Sequence, residues 1–180
     1  MKKVLLIFIL ALYNIPINAQ YTLLSNQKCK ELFTYCKNNG YNTNYVILVD
    51  FSRPLYKDRL FLYDLATNSR WVEVSSYVGQ GIGKHGESFI TPKFSNKPNS
   101  WLSSKGKYKL GKVRKLRKYN IPCIELYGLD SSNSNTYKRG IVIHPGPIWS
   151  QGCFSIDNTT FNQLVYIKKT SKLPILLYAF

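Results

Sequence analysis

The chain changes its polarity pattern several times, and each change marks an expected element. Residues 4–13 are continuously apolar behind Lys2 and Lys3, a run too short to span a bilayer. Pro16 interrupts it, and Ile17-Asn18-Ala19 precedes Gln20 as a cleavage site, although Ile17 is bulkier than the residue usually found there. This predicts an export signal over residues 1–19. Residues 20–44 are more polar and predict a short helix from about Asn26 to Asn38, stopped by Asn39-Gly40. The pattern then turns to β-branched and aromatic runs. YVILVDF (45–51), RLFLYDLA (59–66) and RWVEVSSYV (70–78) are separated by turn formers and predict successive strands, the last two a hairpin.

Residues 79–106 are rich in Gly, Ser, Asn and Pro and predict a long irregular segment, with Phe89, Phe94 and Trp101 packing it down. YKLGKV and residues 121–129 predict two further strands, and IVIH (141–144) a short buried one. Asp157 or Asn158 caps an expected helix running to about Lys168, and KLPILLYAF closes the chain as a buried strand. The reading is a mainly β domain over residues 45–180 with short N- and C-terminal helices. No repeat and no low-complexity tract interrupts it.

Composition adds a compartment and a charge. The chain has 180 residues, 44% of them hydrophobic, enough for one domain with a real core. Its formal charge is +16, and removal of Lys2 and Lys3 leaves 23 basic against 9 acidic residues, or +14. Such a surface is drawn to polyanions. The densest stretch is KGKYKLGKVRKLRK, residues 105–118. With an export signal, anionic envelope polymers are the expected partners and nucleic acid is not. The four cysteines are Cys29, Cys36, Cys123 and Cys153. Cys29 and Cys36 are seven positions apart on the expected helix, roughly 10 Å between Cα atoms. That is too far for a disulfide.

The candidate chemistry lies in IVIHPGPIWSQGCFSI, residues 141–156. A reactive cysteine works as its thiolate and needs a base or a positive field nearby. His144 ends a buried strand, where a side chain is held rigidly, and Pro145-Gly146-Pro147 turns the chain back. Gly152 allows a sharp turn before Cys153, and the backbone N–H groups of Gly152 and Cys153 suit an oxyanion. A buried strand that merely contains both side chains is the competing reading. Two histidines provide no zinc-type ligand set, so no metal or cofactor is expected.

The stretch resembles the active-site motif of the murein L,D-transpeptidases, where a histidine on one strand is followed by Ser-x-Gly-Cys. VDFSRPLYKDRLFLYDLATN, PKFSNKPNSWLSSKGKYKLG and GLDSSNSNTYKRGIVIH resemble successive segments of one branch of that family, so the likeness runs over about residues 45–157. It implies an L,D-transpeptidase-like β-sandwich or mixed sheet. It also implies Cys153 as nucleophile, His144 as base, Gly152 in the oxyanion site, and peptidoglycan stem peptides as substrate. Ser150, Gln151, Arg139, Ser95, Asn96, Ser103 and Ser104 become candidate substrate contacts. Turn bonding is the other reading of the four loop residues. For Arg139 the other reading is an ion pair with Asp130 or Asp50.

Three positions depart from the family pattern. Gln151 replaces a histidine before Gly-Cys, the connection from His144 to Cys153 is short, and Gln80-Gly81 replaces a His-Gly pair, with His85-Gly86 a few residues later. The expectation is an exported cysteine acyltransferase of the periplasm or cell envelope. An L,D-carboxypeptidase with the same nucleophile and a non-catalytic, basic envelope-binding protein are the alternatives.

Overall fold

A computed structural model describes residues 23–88, 91–116 and 119–180. The expected export signal, Phe89, and Arg117 and Lys118 of the basic stretch lie outside these residues. In chain order the elements are α1 (Asn26–Asn38), β1 (Val46–Val49), β2 (Leu60–Asp64), β3 (Ser69–Ser76), β4 (Gln80–Gly81), β5 (Gly106–Leu116), β6 (Ile121–Gly128), β7 (Val142–Pro145), β8 (Trp149–Ser150), β9 (Phe154–Ile156), α2 (Asn158–Thr170) and β10 (Leu176–Ala179). The fold is mainly β around a mixed sheet.

Eight strands form one sheet in the order β3-β2-β1-β10-β5-β6-β7-β9, and β4 and β8 pair separately. β2 and β3 make the expected hairpin, with Tyr63 opposite Arg70. The last strand enters the middle of the sheet. β10 lies parallel to β1 and antiparallel to β5.

Alternation along the strands sends side chains to two faces. Ile47, Leu177, Tyr108, Leu126, Ile124, Ile143 and Phe154 point to one face and bury Phe161 and Leu164 of α2. The other face carries Val46, Leu48, Tyr63 and Leu176, covered by Leu32, Cys29 and Cys36 of α1. That helix forms where the pattern placed it. Ser25 caps it by accepting from the Lys28 N–H at 3.2 Å. All four cysteines are free thiols, and Cys29 and Cys36 are core residues of α1.

The α1 cluster reaches β2, β1 and β10 but not β6, β7 or β9. On these strands the same face presents Glu125, Val142, His144 and Ser155, the positions between the core residues. Most of residues 79–106 is irregular, as expected. Phe94 anchors the segment against Phe51, ring centroids 5.1 Å apart. The polar connection before β7 contains a single 3-10 turn, Ser131–Asn133, whose Asn133 is wholly buried.

Candidate active site

β7 and β9 run side by side and parallel, with Ile143 opposite Phe154 and His144 opposite Ser155. The parallel register brings residues eleven apart in sequence onto neighbouring strands, so Cys153, just before β9, comes alongside the start of β7. Its thiol donates to the Gly140 carbonyl at 3.8 Å. Burial pushes the Cys153 thiol up from its ordinary value, while the Val142 N–H and the Arg139 guanidinium act in the opposite direction. At rest this is a protonated thiol.

His144 is half-buried, and its Nδ1 lies 3.0 Å from the Pro145 carbonyl oxygen. That oxygen can only accept, so Nδ1 carries a proton, and in the neutral tautomer Nε2 is the acceptor. Gly146 packs beneath the ring: a Cβ there would stand 3.1 Å from His144 Cε1. Tyr77 holds the same turn by donating to the Gly146 carbonyl at 2.6 Å.

The turn into Cys153 is organised by Ser150. Its hydroxyl donates to the Cys153 carbonyl at 2.7 Å and accepts from the Gly152 N–H at 3.1 Å. The Gly152 N–H expected in the oxyanion site is thus taken by Ser150 in this state. Gly152 has φ of 109°, and a Cβ there would stand 2.8 Å from the Leu102 carbonyl oxygen, so only glycine fits.

Arg139 pairs with neither Asp130 nor Asp50, because it sits on the other side of residues 95–104. Its Nη1 donates to the Ser95 carbonyl at 2.7 Å and to Ser104 Oγ at 2.9 Å. Nη2 donates to Ser100 Oγ and to the Leu102 carbonyl. Asp130 instead binds Lys107 at 2.8 Å. The guanidinium also packs against Gly152, so one side chain ties the long loop to the turn into Cys153.

That frame corrects the expected substrate contacts. Ser103 and Ser104 are 1% exposed and cannot line a peptide groove. Ser103 Oγ accepts from the Gly81 N–H at 2.9 Å. Asn96 is bound on both sides to the connection before β7, donating to the Ser131 carbonyl and accepting from the Asn135 N–H. Ser95 receives the Lys97 N–H at its hydroxyl. Ser103 and Ser104 are buried in making these bonds, while Ser95 and Asn96 make theirs half-buried. Gln151 is exposed and shares a cavity of about 220 Å³ with Arg139, Trp101, Lys138 and Ile141. His85 is exposed on a separate turn closed by Glu87.

Sequence reasoning missed Arg59, Glu125 and Tyr137. Arg59 is 2% exposed and donates to Gln80 Oε1 at 2.8 Å, while Gln80 Nε2 donates to the Ser88 carbonyl. Gln80, standing where the resemblance has a His-Gly pair, thus joins a buried, charge-assisted hydrogen bond that pins the loop. Burial lowers the Arg59 pKa to about 10. Arg59 shows no periodicity that separates it from a surface arginine. Glu125 and Tyr137 line a second cavity of about 230 Å³ with Arg114, Gly140, Ile141 and Val142.

Among solved structures, the helical cell shape determining protein Pgp2 from Campylobacter jejuni has the same fold at a TM-score of 0.50 and 10% identity. The match covers 86% of this chain and 56% of that one. A point mutant of Pgp2 matches equally, over 87% of this chain. At that identity the likeness concerns the fold alone, and this chain spans little more than half of Pgp2's length. No curated protein sequence matches the chain. The model of the L,D-transpeptidase catalytic domain matches residues 19–177, nearly the whole chain, and the protein belongs to that family.

Proposed function

We propose that the protein is an exported murein L,D-transpeptidase, with Cys153 as nucleophile and His144 as base. The observation that carries the reading is the pairing of the two strands that bear them, with His144 Nδ1 tied to the Pro145 carbonyl and Nε2 left as acceptor. Nε2 takes the Cys153 proton, and the sulfur attacks the carbonyl carbon of an L-to-D bond in a stem peptide. The C–N bond breaks, the D-amino acid leaves with the proton from His144, and a thioester remains. An amine then attacks the thioester, giving its proton to His144 and expelling the Cys153 thiolate.

Two cavities share Ile141 in their walls, the one with Gln151 and Arg139 and the one with Glu125 and Tyr137, and the second is also lined by Gly140, whose carbonyl meets the Cys153 thiol. Room for a second substrate next to that contact supports transfer over hydrolysis. The expectation of export rests on residues 1–19 and on the basic surface. Partial cell fractionation with mass determination of the mature N-terminus tests it.

The site is tested by intact mass after incubation with a carbapenem, beside Cys153→Ala. A covalent adduct on the native protein that is absent in the variant is the expected result. No adduct on the native protein overturns the enzyme reading in favour of the envelope-binding one.

A further inference from the structure

The second cavity has an unusual wall for a site that handles an acidic polymer. Its floor is the segment that meets the nucleophile. Gly140 accepts from the Cys153 thiol, and Val142 is the residue beside Cys153 in the β7–β9 register. Glu125 stands directly across from Val142 on β6. Its Oε1 accepts from Arg114 Nε at 2.6 Å and its Oε2 from the Tyr127 hydroxyl at 3.0 Å. Tyr127 stacks on Tyr137 with centroids 5.3 Å apart. The chain has 9 acidic residues against 25 basic ones, so a carboxylate one strand from the nucleophile's neighbour is a specific feature.

The arrangement is more than a strand-to-strand ion pair. Arg114 is registered opposite Cys123, and a bulge between Leu110 and Val113 breaks the ladder before Glu125. Gly111 lies in this bulge, and a Cβ there would stand 2.4 Å from Tyr127 Cε2 and 2.8 Å from Glu125 Cβ. Glycine therefore makes the room in which Glu125 and Tyr127 lie. The Arg114 side chain is 42% exposed and that of Glu125 12%. The cation reaches water while the anion faces the cavity, and an ion pair with a solvated arm contributes little. Another cation can take its place at small cost. Burial alone would raise the Glu125 carboxyl, but Arg114 and Tyr127 outweigh it and hold it below the usual range, so it is ionised at neutral pH.

We propose that this cavity receives the acyl acceptor, and that Glu125 docks the acceptor's primary ammonium group beside the thioester. The inference rests on the transfer reading above. Its volume suits a short aminoalkyl or amino-acid end rather than a folded peptide. The bound ammonium loses one proton to His144 Nε2, which is vacant once the first leaving group has gone. The neutral amine attacks the thioester carbon, the C–N bond forms as the C–S bond breaks, and the amine's second proton returns to the Cys153 sulfur. Where the acceptor also bears a carboxylate next to its amine, Arg114 is the group that meets it.

The test follows the fate of one thioester. The full-length mature protein is acylated with a stem tetrapeptide, and the ratio of transfer to hydrolysis is measured with glycine and with glycinamide as acceptors. Intact mass establishes the thioester in each protein. Glu125→Gln is expected to lower the ratio about tenfold with both acceptors. Arg114→Gln, on a solvated arm, is expected to raise it for glycinamide, because Glu125 loses its protein cation, and to lower the preference for glycine over glycinamide. An unchanged ratio in Glu125→Gln, or the same fall in both variants, overturns the proposal. A thioester that forms in the native protein but passes only to water overturns the acceptor site alone. Failure of the native protein to form any thioester overturns the transfer reading together with it.

Discussion

Arg139 illustrates how much one side chain can organise. Its guanidinium joins four oxygens of the 95–104 loop and touches Gly152. Burial lowers its pKa, and its anionic influences are Tyr108 and Cys153. Arg139→Met is therefore expected to free the loop and to leave the thiolate less supported. The rate of Cys153 alkylation by iodoacetamide against pH checks this. The thiol is raised by burial, so in the native protein the rate should be low at neutral pH and climb in the alkaline range, above the free-thiol value of about 8.5. Arg139→Met moves that climb to still higher pH, whereas a change in loop rigidity alone alters the rate without moving the profile. The other titratable group acting on the sulfur is Cys123, which opposes its ionisation. Gly152→Ala is expected to remove carbapenem adduct formation and to lower the melting temperature, because the added Cβ would clash with the Leu102 carbonyl oxygen at a buried turn. His144→Gln keeps a hydrogen-bonding group but no base, and should slow acylation by about 10²- to 10⁴-fold in a stopped-flow or mass assay.

At the scale of elements, two helices hold opposite faces of one sheet. Asp157 caps α2 by accepting from the Thr160 N–H at 2.9 Å. Burial works against its ionisation, but the Ser76 hydroxyl and the N–H groups of Thr160 and Thr159 prevail and hold it below the usual carboxylate range. A depressed folded-state pKa gives stability that is present above the unfolded value of about 3.9 and is lost as pH falls through the folded one. Asp157→Ala is expected to cost about 1 kcal/mol in urea denaturation at pH 7, with the difference narrowing in acid, and Asp157→Asn much less. On the other face, Leu32 of α1 is 3% exposed, and Leu32→Ala should cost about 2–5 kcal/mol by the same measurement. Both helices were legible, because their apolar spacing and caps are local. β9 was not: Phe154-Ser155-Ile156 is too short to declare itself and becomes a strand only by pairing with β7. The same holds for β4 and β8, two residues each.

Across the molecule the excess of positive charge is unevenly used. Lys109, Lys112, Arg114 and Lys115 stand exposed along β5, a solvated row. Lys105 and Lys107 are instead drawn onto aromatic rings, Lys105 over Phe94 at 4.6 Å and Lys107 over Tyr35 at 5.2 Å. Attraction of an exposed row to an anionic surface is screened within about 10 Å at 0.1 M salt. Retention of the Cys153→Ala protein on purified sacculi is therefore expected to fall steeply between low and physiological ionic strength. Retention insensitive to salt would mean that recognition runs through the active-site cavities and not through the basic surface.

The amino-acid sequence by itself determined the two helices, the longer strands, the mainly β class and the family, and it singled out Cys153 and His144 as the candidate pair. Each is written in local spacing: alternation, caps, turn residues, and a motif within sixteen positions. The tertiary structure alone decided what surrounds that pair. β10 enters the sheet between β1 and β5 because its apolar residues fit both faces there, which no window of neighbouring residues contains. Arg139 meets residues 95 to 104, thirty-five and more positions earlier in the chain, and makes Ser95 and Ser104 part of a hydrogen-bonded frame. Glu125 becomes a wall of the site because β6 pairs with β7 in one register. Burial and charge at a site are sums over distant segments, and only folding brings those segments within range.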